Sequence, residues 1–282
     1  DRSFKFSGWM NAGKMEVETI DAQYVYSDNK VKLTKTGSSL FRVSPLKSED
    51  GDKPISMGSA VSGIQGDLFV DDPTNRSGKN KSISDYPKVS VTNKVKVYYA
   101  QKSLFNGAYD SARFYFEVYP FLLDSLDNFK EKAFRLKGEL NSAGIFPIIK
   151  QDLKIMPDYS FGFVQEAPQG GYDFYSTGAK YENKIVLSNN GLQGSGKIDF
   201  IKSTSISKSL TFLPDSTVGY AVFENKPVEI GTQYPDVKSQ KAYICYLPKG
   251  NKLKAYSTDV PLSFFNDEAK LDGIAVVAPE GM

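Results

Sequence analysis

Residues Lys184–Ile201 read Lys-Ile-Val-Leu-Ser-Asn-Asn-Gly-Leu-Gln-Gly-Ser-Gly-Lys-Ile-Asp-Phe-Ile, and the fold prediction starts from them. Two strand-like runs, Lys184–Leu187 and Lys197–Ile201, flank the turn Asn189-Asn-Gly191, in which Asn and Gly allow a positive φ. The glycines of Gly191–Gly196 resemble a phosphate-binding loop, but such a loop must lead into a helix. A strand follows here instead, so we predict a β-bulge or a close approach between strands.

The same short alternation of apolar and polar residues recurs along the whole chain, and it is typical of half-buried strands. The clearest runs are Phe4–Met10, Lys30–Leu33, Ser39–Val43, Val61–Val70, Lys94–Tyr99, Arg113–Tyr119, Lys132–Leu140, Ser209–Leu213, Gly219–Phe223 and Lys252–Tyr256. Turn signals separate them, for example at Asp71–Asn75, Asn106-Gly107, Ala167–Gly171 and Pro248–Asn251. Helix signals are confined to Phe121–Phe129, after Pro120, and to Leu262–Ala269, after Pro261.

These patterns predict an all-β fold of short, mostly antiparallel strands, with an elongated multi-sheet or solenoid-like arrangement favoured over a β-sandwich. A break near Ala100–Gln101 divides the chain into an N-terminal β unit (1–100) and a second β unit (101–282), unless the two form one continuous domain. Lys184–Leu192 and Gly273–Met282 loosely match, since each has a strand, a polar turn, a glycine and a large apolar residue. Because a further strand follows only the first copy, we expect the second unit to be truncated at Met282.

The residue types on which most enzymes depend are scarce. The chain has no histidine and a single cysteine, Cys245, which excludes histidine-based catalysis and an internal disulfide. Cys245 lies in a strand-like run, where a buried inert thiol is favoured over an activated nucleophile. Glycoside hydrolysis needs only two carboxylates, and four lie near one another in sequence without any sign of a raised pKa: Asp158, Glu166, Asp173 and Glu182. We therefore predict no enzyme activity, no catalytic residue and no cofactor, with a carboxylate-based glycoside hydrolase as the remaining alternative.

The charge pattern argues against nucleic acid as a partner. The 35 Lys and Arg residues against 33 Asp and Glu leave a formal net charge of +2, which is too even for a nucleic-acid footprint. The basic run Arg76–Lys81 is rich in Gly, Ser and Asn, which favours a solvated loop. Glu49–Asp52 and Asp71–Asn75 could hold calcium, but neither has the EF-hand spacing, so we predict solvated turns and assign no metal ligand. No apolar run approaches the length of a membrane span.

Aromatic residues make up 13% of the chain, as 19 Phe, 17 Tyr and one Trp. Packing within sheets accounts for most of them. The loop Gly170–Tyr175 could instead present Tyr172, Phe174 and Tyr175 as a surface that stacks on sugars. A glycan-binding module is therefore a second class of function, and it requires these rings to be exposed.

Three tripeptides match the Asp-Ser O-glycosylation sequon of Bacteroidetes envelope proteins: Asp110-Ser-Ala112, Asp124-Ser-Leu126 and Asp215-Ser-Thr217. They make Ser111, Ser125 and Ser216 candidate O-glycosylation sites. Asp-Ser is also favourable turn chemistry, which is the alternative interpretation.

A series of longer segments covers most of the chain: Gly66–Gly78, Gly107–Phe121, Asp124–Phe129, Gly138–Pro147, Pro157–Phe163, Leu187–Gly196 and Phe212–Ser216. In this order they resemble a segment of the very large, functionally uncharacterised cell-envelope proteins of Bacteroidetes. The resemblance implies a parent protein several times longer than this chain. It transfers no catalytic residue.

The predicted function is that of a non-catalytic structural or interaction segment of a large cell-envelope or surface protein. Such a segment presents its β faces to other segments of the same long chain or to other envelope proteins. The low cysteine content, the Asp-Ser sequons and the turn-rich strands favour an extracytoplasmic location, in the periplasm or at the cell surface. The alternatives are the glycan-binding module and a groove for a lipid or a passenger polypeptide, which requires a continuous apolar trough.

Overall fold

The structure is a computed structural model that describes residues 2–101, 103–226 and 234–282. Strands make up 55% of it and helix 4%, which confirms the all-β prediction. The strands are β1 (Phe4–Ala12), β2 (Met15–Val25), β3 (Lys30–Val43), β4 (Ile55–Ser56), β5 (Val61–Ser62), β6 (Gly66–Phe69), β7 (Lys88–Val91), β8 (Val95–Tyr98), β9 (Phe114–Val118), β10 (Phe121–Leu123), β11 (Leu136–Ser142), β12 (Ile149–Ile155), β13 (Phe161–Glu166), β14 (Tyr172–Phe174), β15 (Ala179–Ser188), β16 (Gly191–Phe200), β17 (Ser203–Leu213), β18 (Ser216–Asn225), β19 (Val237–Leu247), β20 (Lys252–Tyr256), β21 (Leu262–Phe264), β22 (Ala269–Leu271) and β23 (Ile274–Val277). The helical residues form single 3₁₀ turns at Ser48–Asp50, Phe105–Gly107, Glu131–Ala133 and Pro248–Gly250.

The chain divides into two compact units. Unit 1 contains Asp1–Tyr99, Phe114–Leu140 and Lys150–Phe163, and unit 2 contains Ala100–Arg113, Asn141–Ile149 and Val164–Met282. The first change of unit falls after Tyr99, where the sequence suggested a break. The later segments of unit 1 differ from the simple 1–100 and 101–282 division, because β9 returns to pair with β8, with Val95 opposite Val118.

Unit 1 is an antiparallel meander. β1 pairs with β2, and β2 pairs with β3. β5 and β6 both pair with β3, as two halves of one interrupted strand. β8 pairs with β5, and β7 pairs with β6. β9 then pairs with β8, and β10 pairs with β7. Short turns join the first strands, whereas long segments join β6 (ending at Phe69) to β7 (beginning at Lys88) and β8 (ending at Tyr98) to β9 (beginning at Phe114).

Unit 2 is a second antiparallel meander, in which β14 to β20 pair in chain order and β23 pairs with β20. β21 pairs with the start of β19, and β22 pairs with β21. The predicted turn joins β15 to β16, with Ser188 opposite Gly191 and a positive φ at Gly191. The register between β16 and β17 shifts between Gly194 and Gly196, but the extra residue lies on β17, and the glycines instead allow the predicted close approach to β15.

Both sequence-based helix predictions are wrong. Phe121–Phe129 begins as β10, because Phe121 extends along β7 opposite Val91. Leu262–Ala269 contains β21 and the first residue of β22. Short apolar runs fit either type of structure, and here the open edge of a neighbouring strand decides between them.

Each unit has an aromatic core of its own. In unit 1, Phe41 packs against Phe129, Phe134 and Phe161, with ring centroids 5.7–6.4 Å apart. In unit 2, four buried rings lie with centroids 5.0–6.2 Å apart: Phe146, Phe174, Tyr181 and Phe212. These rings fill the inner face of the unit 2 sheet, so that face gives no support to the predicted trough for a lipid or a passenger polypeptide.

Candidate functional site

A row of tyrosines crosses the outer face of the unit 2 sheet. Tyr220 on β18 lies opposite Tyr243 on β19, and Tyr243 lies opposite Tyr256 on β20. Tyr256 in turn lies opposite Ile274 on β23. Tyr220 is 58% exposed and Ile274 is 50% exposed, while the two central tyrosines are half-buried. Four strands thus place large side chains side by side in solvent.

The alternation of each strand explains why these side chains point outward. Each residue of the row has a buried neighbour in its strand: Ala221, Ile244 and Ala275 follow a residue of the row, and Ala255 precedes Tyr256. Because successive side chains of a strand point to opposite faces, burial of these four residues turns the tyrosines and Ile274 to the outer face.

The apolar surface extends beyond the row. Ile206 and Val222 lie opposite each other on β17 and β18 and are 54% and 40% exposed. We define the tyrosine face as these two residues together with the row: Ile206, Tyr220, Val222, Tyr243, Tyr256 and Ile274. Contiguous exposed apolar surface is a recognised feature of interaction sites, which makes the tyrosine face the candidate site.

Two bulges give the tyrosine face its relief. The β17–β18 register shifts between Ile206 and Ser209, and the β18–β19 register shifts between Ala221 and Phe223. A shallow open depression of about 610 Å³ lies here, and Tyr220 and Tyr243 contribute to its lining. Bulges change the direction of side chains and bend the strand that carries them, so this part of the sheet is curved rather than flat.

The tyrosine rings are inclined to one another. The centroids of Tyr220 and Tyr243 are 5.3 Å apart at 67°, and those of Tyr243 and Tyr256 are 6.3 Å apart at 55°. Edge-to-face geometry of this kind stabilises neighbouring rings. It does not create the coplanar platform that the glycan hypothesis requires.

Polar groups accompany these rings. The hydroxyls of the three tyrosines make no hydrogen bond to another described residue. Lys241 lies 6.0 Å from the Tyr220 ring centroid and 2.8 Å from Oδ1 of Asp259. Hydrogen bonding to Asp259 raises the pKa of Lys241, so the ammonium stays charged beside the tyrosine face. The face therefore offers apolar rings, hydroxyls that bond to no other described residue, and an adjacent Lys241–Asp259 ion pair.

Cys245 lies on the same outer face, two residues along β19 from Tyr243. It is opposite Val218 and Lys254, and it is half-buried. Burial raises the pKa of its thiol, with Lys254 acting in the opposite direction. A raised pKa keeps the thiol protonated at neutral pH, which is the opposite of what a nucleophile needs.

The predicted glycan-contact residues do not form an exposed surface. Phe174 is fully buried in the unit 2 core. The Tyr175 hydroxyl lies within hydrogen-bond distance of the carbonyl oxygens of Leu213 and Ser216, at 2.5 and 2.9 Å, and of the Thr217 hydroxyl at 2.8 Å. Tyr172 is half-buried, with its ring centroid 5.2 Å from that of Phe146. The loop folds inward because its rings complete the core, so the sugar-stacking interpretation of Tyr172, Phe174 and Tyr175 needs correction.

The three candidate O-glycosylation serines differ in accessibility. Ser111 is exposed. Ser125 is half-buried and donates to the carbonyl oxygen of Ser84 at 3.2 Å. Ser216 is half-buried at the first position of β18. Of the three, Ser111 offers the freest hydroxyl to a modifying enzyme.

The acidic groups are held by local hydrogen bonds. Asp72 accepts from the Thr74 backbone at 2.8 Å, and Asp71 accepts from Asn75 at 2.9 Å. Among the described residues, no cluster of three metal-ligating side chains occurs. Each described carboxyl group whose pKa departs from its ordinary value is shifted downward, whereas a general acid needs a raised pKa.

Sequence reasoning missed the tyrosine face. Each tyrosine occupies the outward phase of its own strand, where a polar residue is the ordinary expectation. Large side chains at outward positions could have been recognised from the sequence for Tyr220 and Val222. The adjacency of Tyr220, Tyr243 and Tyr256 depends on strand register, which no single run of sequence specifies.

Comparisons with protein-family models, with curated proteins and with solved structures found no match. In the described parts of the chain, no helix has the length and apolar character needed to cross a membrane.

Proposed function

We propose that this chain is a non-catalytic interaction segment of a large cell-envelope or surface protein, and that it presents the tyrosine face of unit 2 to a protein partner. The observation that carries the proposal is the row Tyr220, Tyr243 and Tyr256, aligned across three neighbouring strands on an outer face. The partner is another segment of the same long chain or another envelope protein.

The chemistry of the tyrosine face favours a protein over a glycan. Tyrosine is enriched where protein interfaces have their strongest contacts, because it combines large contact area with a polar tip and few rotatable bonds. The inclined rings leave clefts that suit the side chains of a polypeptide. A sugar-stacking platform would need coplanar rings, whereas the Tyr220–Tyr243 and Tyr243–Tyr256 pairs are inclined at 67° and 55°.

Other features support the non-catalytic and extracytoplasmic parts of the proposal. The absence of histidine supports the non-catalytic part, as does the downward direction of every resolved carboxyl pKa shift among the described residues. The single cysteine suits an oxidising compartment, where extra thiols pair or react. The Asp-Ser sequons and the resemblance to Bacteroidetes envelope proteins add to this placement.

Cys245 provides a built-in test, because it is the only cysteine and lies on the same outer face as the tyrosine row. We expect iodoacetamide at pH 8.5 to alkylate Cys245 in the isolated chain and to react much more slowly in intact envelopes that contain the parent protein. A Cys245→Ser, Gln169→Cys variant, with its thiol in an exposed turn, serves as the matched control and should react equally in both settings. Equal reactivity of Cys245 in both settings would contradict the proposal.

The glycan alternative has its own readout. A glycan array probed with the wild-type chain and with Tyr220→Ala should show no binding that depends on Tyr220. Reproducible binding that Tyr220→Ala abolishes would replace the protein partner with a carbohydrate.

A further inference from the structure

The first strand of unit 1, β1, is an edge strand: among the described residues, only one of its two sides has a neighbouring strand. In the described residues, β1 pairs only with β2, and the one further hydrogen bond to the backbone of Phe4–Ala12 also comes from β2, from Thr19 Oγ1 to the Gly8 carbonyl oxygen at 2.7 Å. Both faces of β1 are accessible as well: Phe4 is 57% exposed, Trp9 is 61% exposed, and only Ala12 is buried. An edge of this kind is a template for a further strand.

Natural edge strands are normally protected, and β1 has little protection. It contains no proline, and its single charged residue is Lys5. The bulge in the β1–β2 pair lies on β2. Between the pairs Phe6–Ala22 and Gly8–Thr19, β1 has one residue, Ser7, and β2 has two. Within β1, Gly8 has a φ of 129°, and the two half-buried residues, Phe6 and Met10, lie two positions before and after it.

From these observations we propose that β1 is a dimerisation strand, which pairs antiparallel with β1 of a second copy of this chain about a two-fold axis at Gly8. The proposal is independent of the tyrosine face, which lies in unit 2. A glycine within a strand often marks the close approach of another backbone, and a Cβ placed on Gly8 would meet no atom within 4 Å. No described atom thus covers the face of the strand at Gly8.

The two-fold register is compatible in charge and in shape. It places Lys5 opposite Asn11 of the second copy, so no like charges meet. It places Phe6 opposite Met10, both on the inner side, so the two sheets continue with their apolar sides together. A foreign strand would need a similar pattern, whereas the second copy supplies it by symmetry.

The test uses the charge at position 11. Asn11→Lys brings the introduced ammonium group of each copy opposite Lys5 of the other, and we expect the dimer dissociation constant to rise roughly 3- to 30-fold, because the symmetry repeats the repulsion twice. Asn11→Asp should lower it by a similar factor. The double variant Lys5→Glu, Asn11→Lys restores opposite charges and should recover dimerisation. Sedimentation velocity over a concentration series measures each constant.

Folding effects cannot imitate this pattern. Asn11 lies opposite Glu16 within the hairpin, and Glu16 also pairs with Arg42. Asn11→Lys therefore adds an attraction inside the monomer while weakening the dimer, and Asn11→Asp does the reverse. Stability and dimerisation should change in opposite directions.

Trp9 gives a second readout, because it is the only tryptophan and lies on the strand. Its emission should shift to the blue as the dimer forms and removes water from the ring. Tyr220→Lys, on the tyrosine face, should leave dimerisation unchanged. A chain that stays monomeric at every concentration tested, with constant Trp9 emission, overturns the proposal. Dimerisation that is indifferent to Asn11→Lys and Asn11→Asp, or that is lost in Tyr220→Lys, overturns it equally.

Discussion

Tyr109 illustrates how single side chains join the loops of unit 2 to its sheet. The buried hydroxyl donates to the carbonyl oxygen of Phe212 at 2.7 Å and accepts from the backbone amide of Leu192 at 3.1 Å. Its ring lies against Gly191, where an added Cβ would come within 2.8 Å of it. Burial raises the pKa of Tyr109 to about 12, so the hydroxyl stays protonated and can donate.

We expect Tyr109→Phe to destabilise the protein by about 1–3 kcal/mol, because it leaves a buried amide and a buried carbonyl without a partner. Urea denaturation followed by circular dichroism measures the change. The matched control is Tyr220→Phe, which removes a hydroxyl without a hydrogen bond to the described protein and should change stability by less than about 0.5 kcal/mol. Equal losses in both variants would contradict this role for Tyr109.

The hydrogen bonds of Glu131 lead us to expect that the protein loses stability in acid. Burial acts to raise the pKa of its carboxyl group, but hydrogen bonds from Lys14 Nζ and from the Ser44 amide, both 2.8 Å long, prevail and lower the pKa to about 2. The folded pKa lies below the ordinary value of 4.5, so the stability from this group is present above about pH 4.5 and is lost as the pH falls toward 2. Glu131→Gln should remove about 2 kcal/mol at pH 7 and flatten the decline between pH 4.5 and 2.

Denaturation curves at several pH values between 2 and 7 measure this dependence. Glu49→Gln is the control, because Glu49 is exposed and its nearest cation, Lys47, is 3.6 Å away. Exposed ion pairs contribute little, so the control should keep the wild-type pH profile. An unchanged profile in Glu131→Gln would rule out this source of acid sensitivity.

Among the strands, β16 depends on glycine for its close approach to β15. A Cβ on Gly196 would overlap the carbonyl oxygen of Glu182 and lie 2.9 Å from Cβ of Asn183. We therefore expect Gly196→Ala to destabilise the protein by about 1–3 kcal/mol, because backbone has to move to admit it. Gly250→Ala, where the nearest atom is Lys252 Cγ at 3.9 Å, should be nearly neutral in the same denaturation assay. If Gly196→Ala leaves the free energy of unfolding unchanged, the packing of β16 against β15 does not depend on glycine at this position.

Strands of this fold were predictable wherever local chemistry specifies them. The β15–β16 hairpin followed from two alternating runs and the turn at Asn189–Gly191, since both the turn and the strands are local properties. Phe121–Phe129 misled because its apolar residues suit either a helix or a strand, and the choice depends on β7, which lies far away in sequence. The secondary-structure propensity of Phe121–Phe129 gives no information about its contact with β7.

The candidate site was less predictable than the strands for a related reason. A shift of one residue in the β18–β19 register would turn Tyr243 inward and break the row. The bulge between Ala221 and Phe223 sets that register, and bulges leave only a weak mark in sequence. Phe174 shows the converse error, since a ring in a glycine-rich loop looks exposed until the core that it fills is known.

On the scale of the whole molecule, the two meanders predict a gradient of amide exchange within each unit. Strands paired on both sides, such as β16, β17 and β18, should exchange slowly, because each amide is bonded to a neighbour and lies over a buried core. In β1, about half of the amides point away from β2 and should exchange quickly in dilute solution. The short strand β22, whose residues are all exposed, should behave similarly.

Hydrogen exchange followed by mass spectrometry, at low and at high protein concentration, tests this gradient and separates two causes of protection. If β1 pairs with a second copy, its outward amides should become protected only at high concentration, while β22 should exchange equally fast at both. Asn11→Lys should then keep β1 exposed at concentrations that protect the wild type, since it weakens pairing without loosening the hairpin. Strong protection of β1 in the dilute monomer would contradict the edge geometry itself, because a strand bonded on one side cannot shield both sets of its amides.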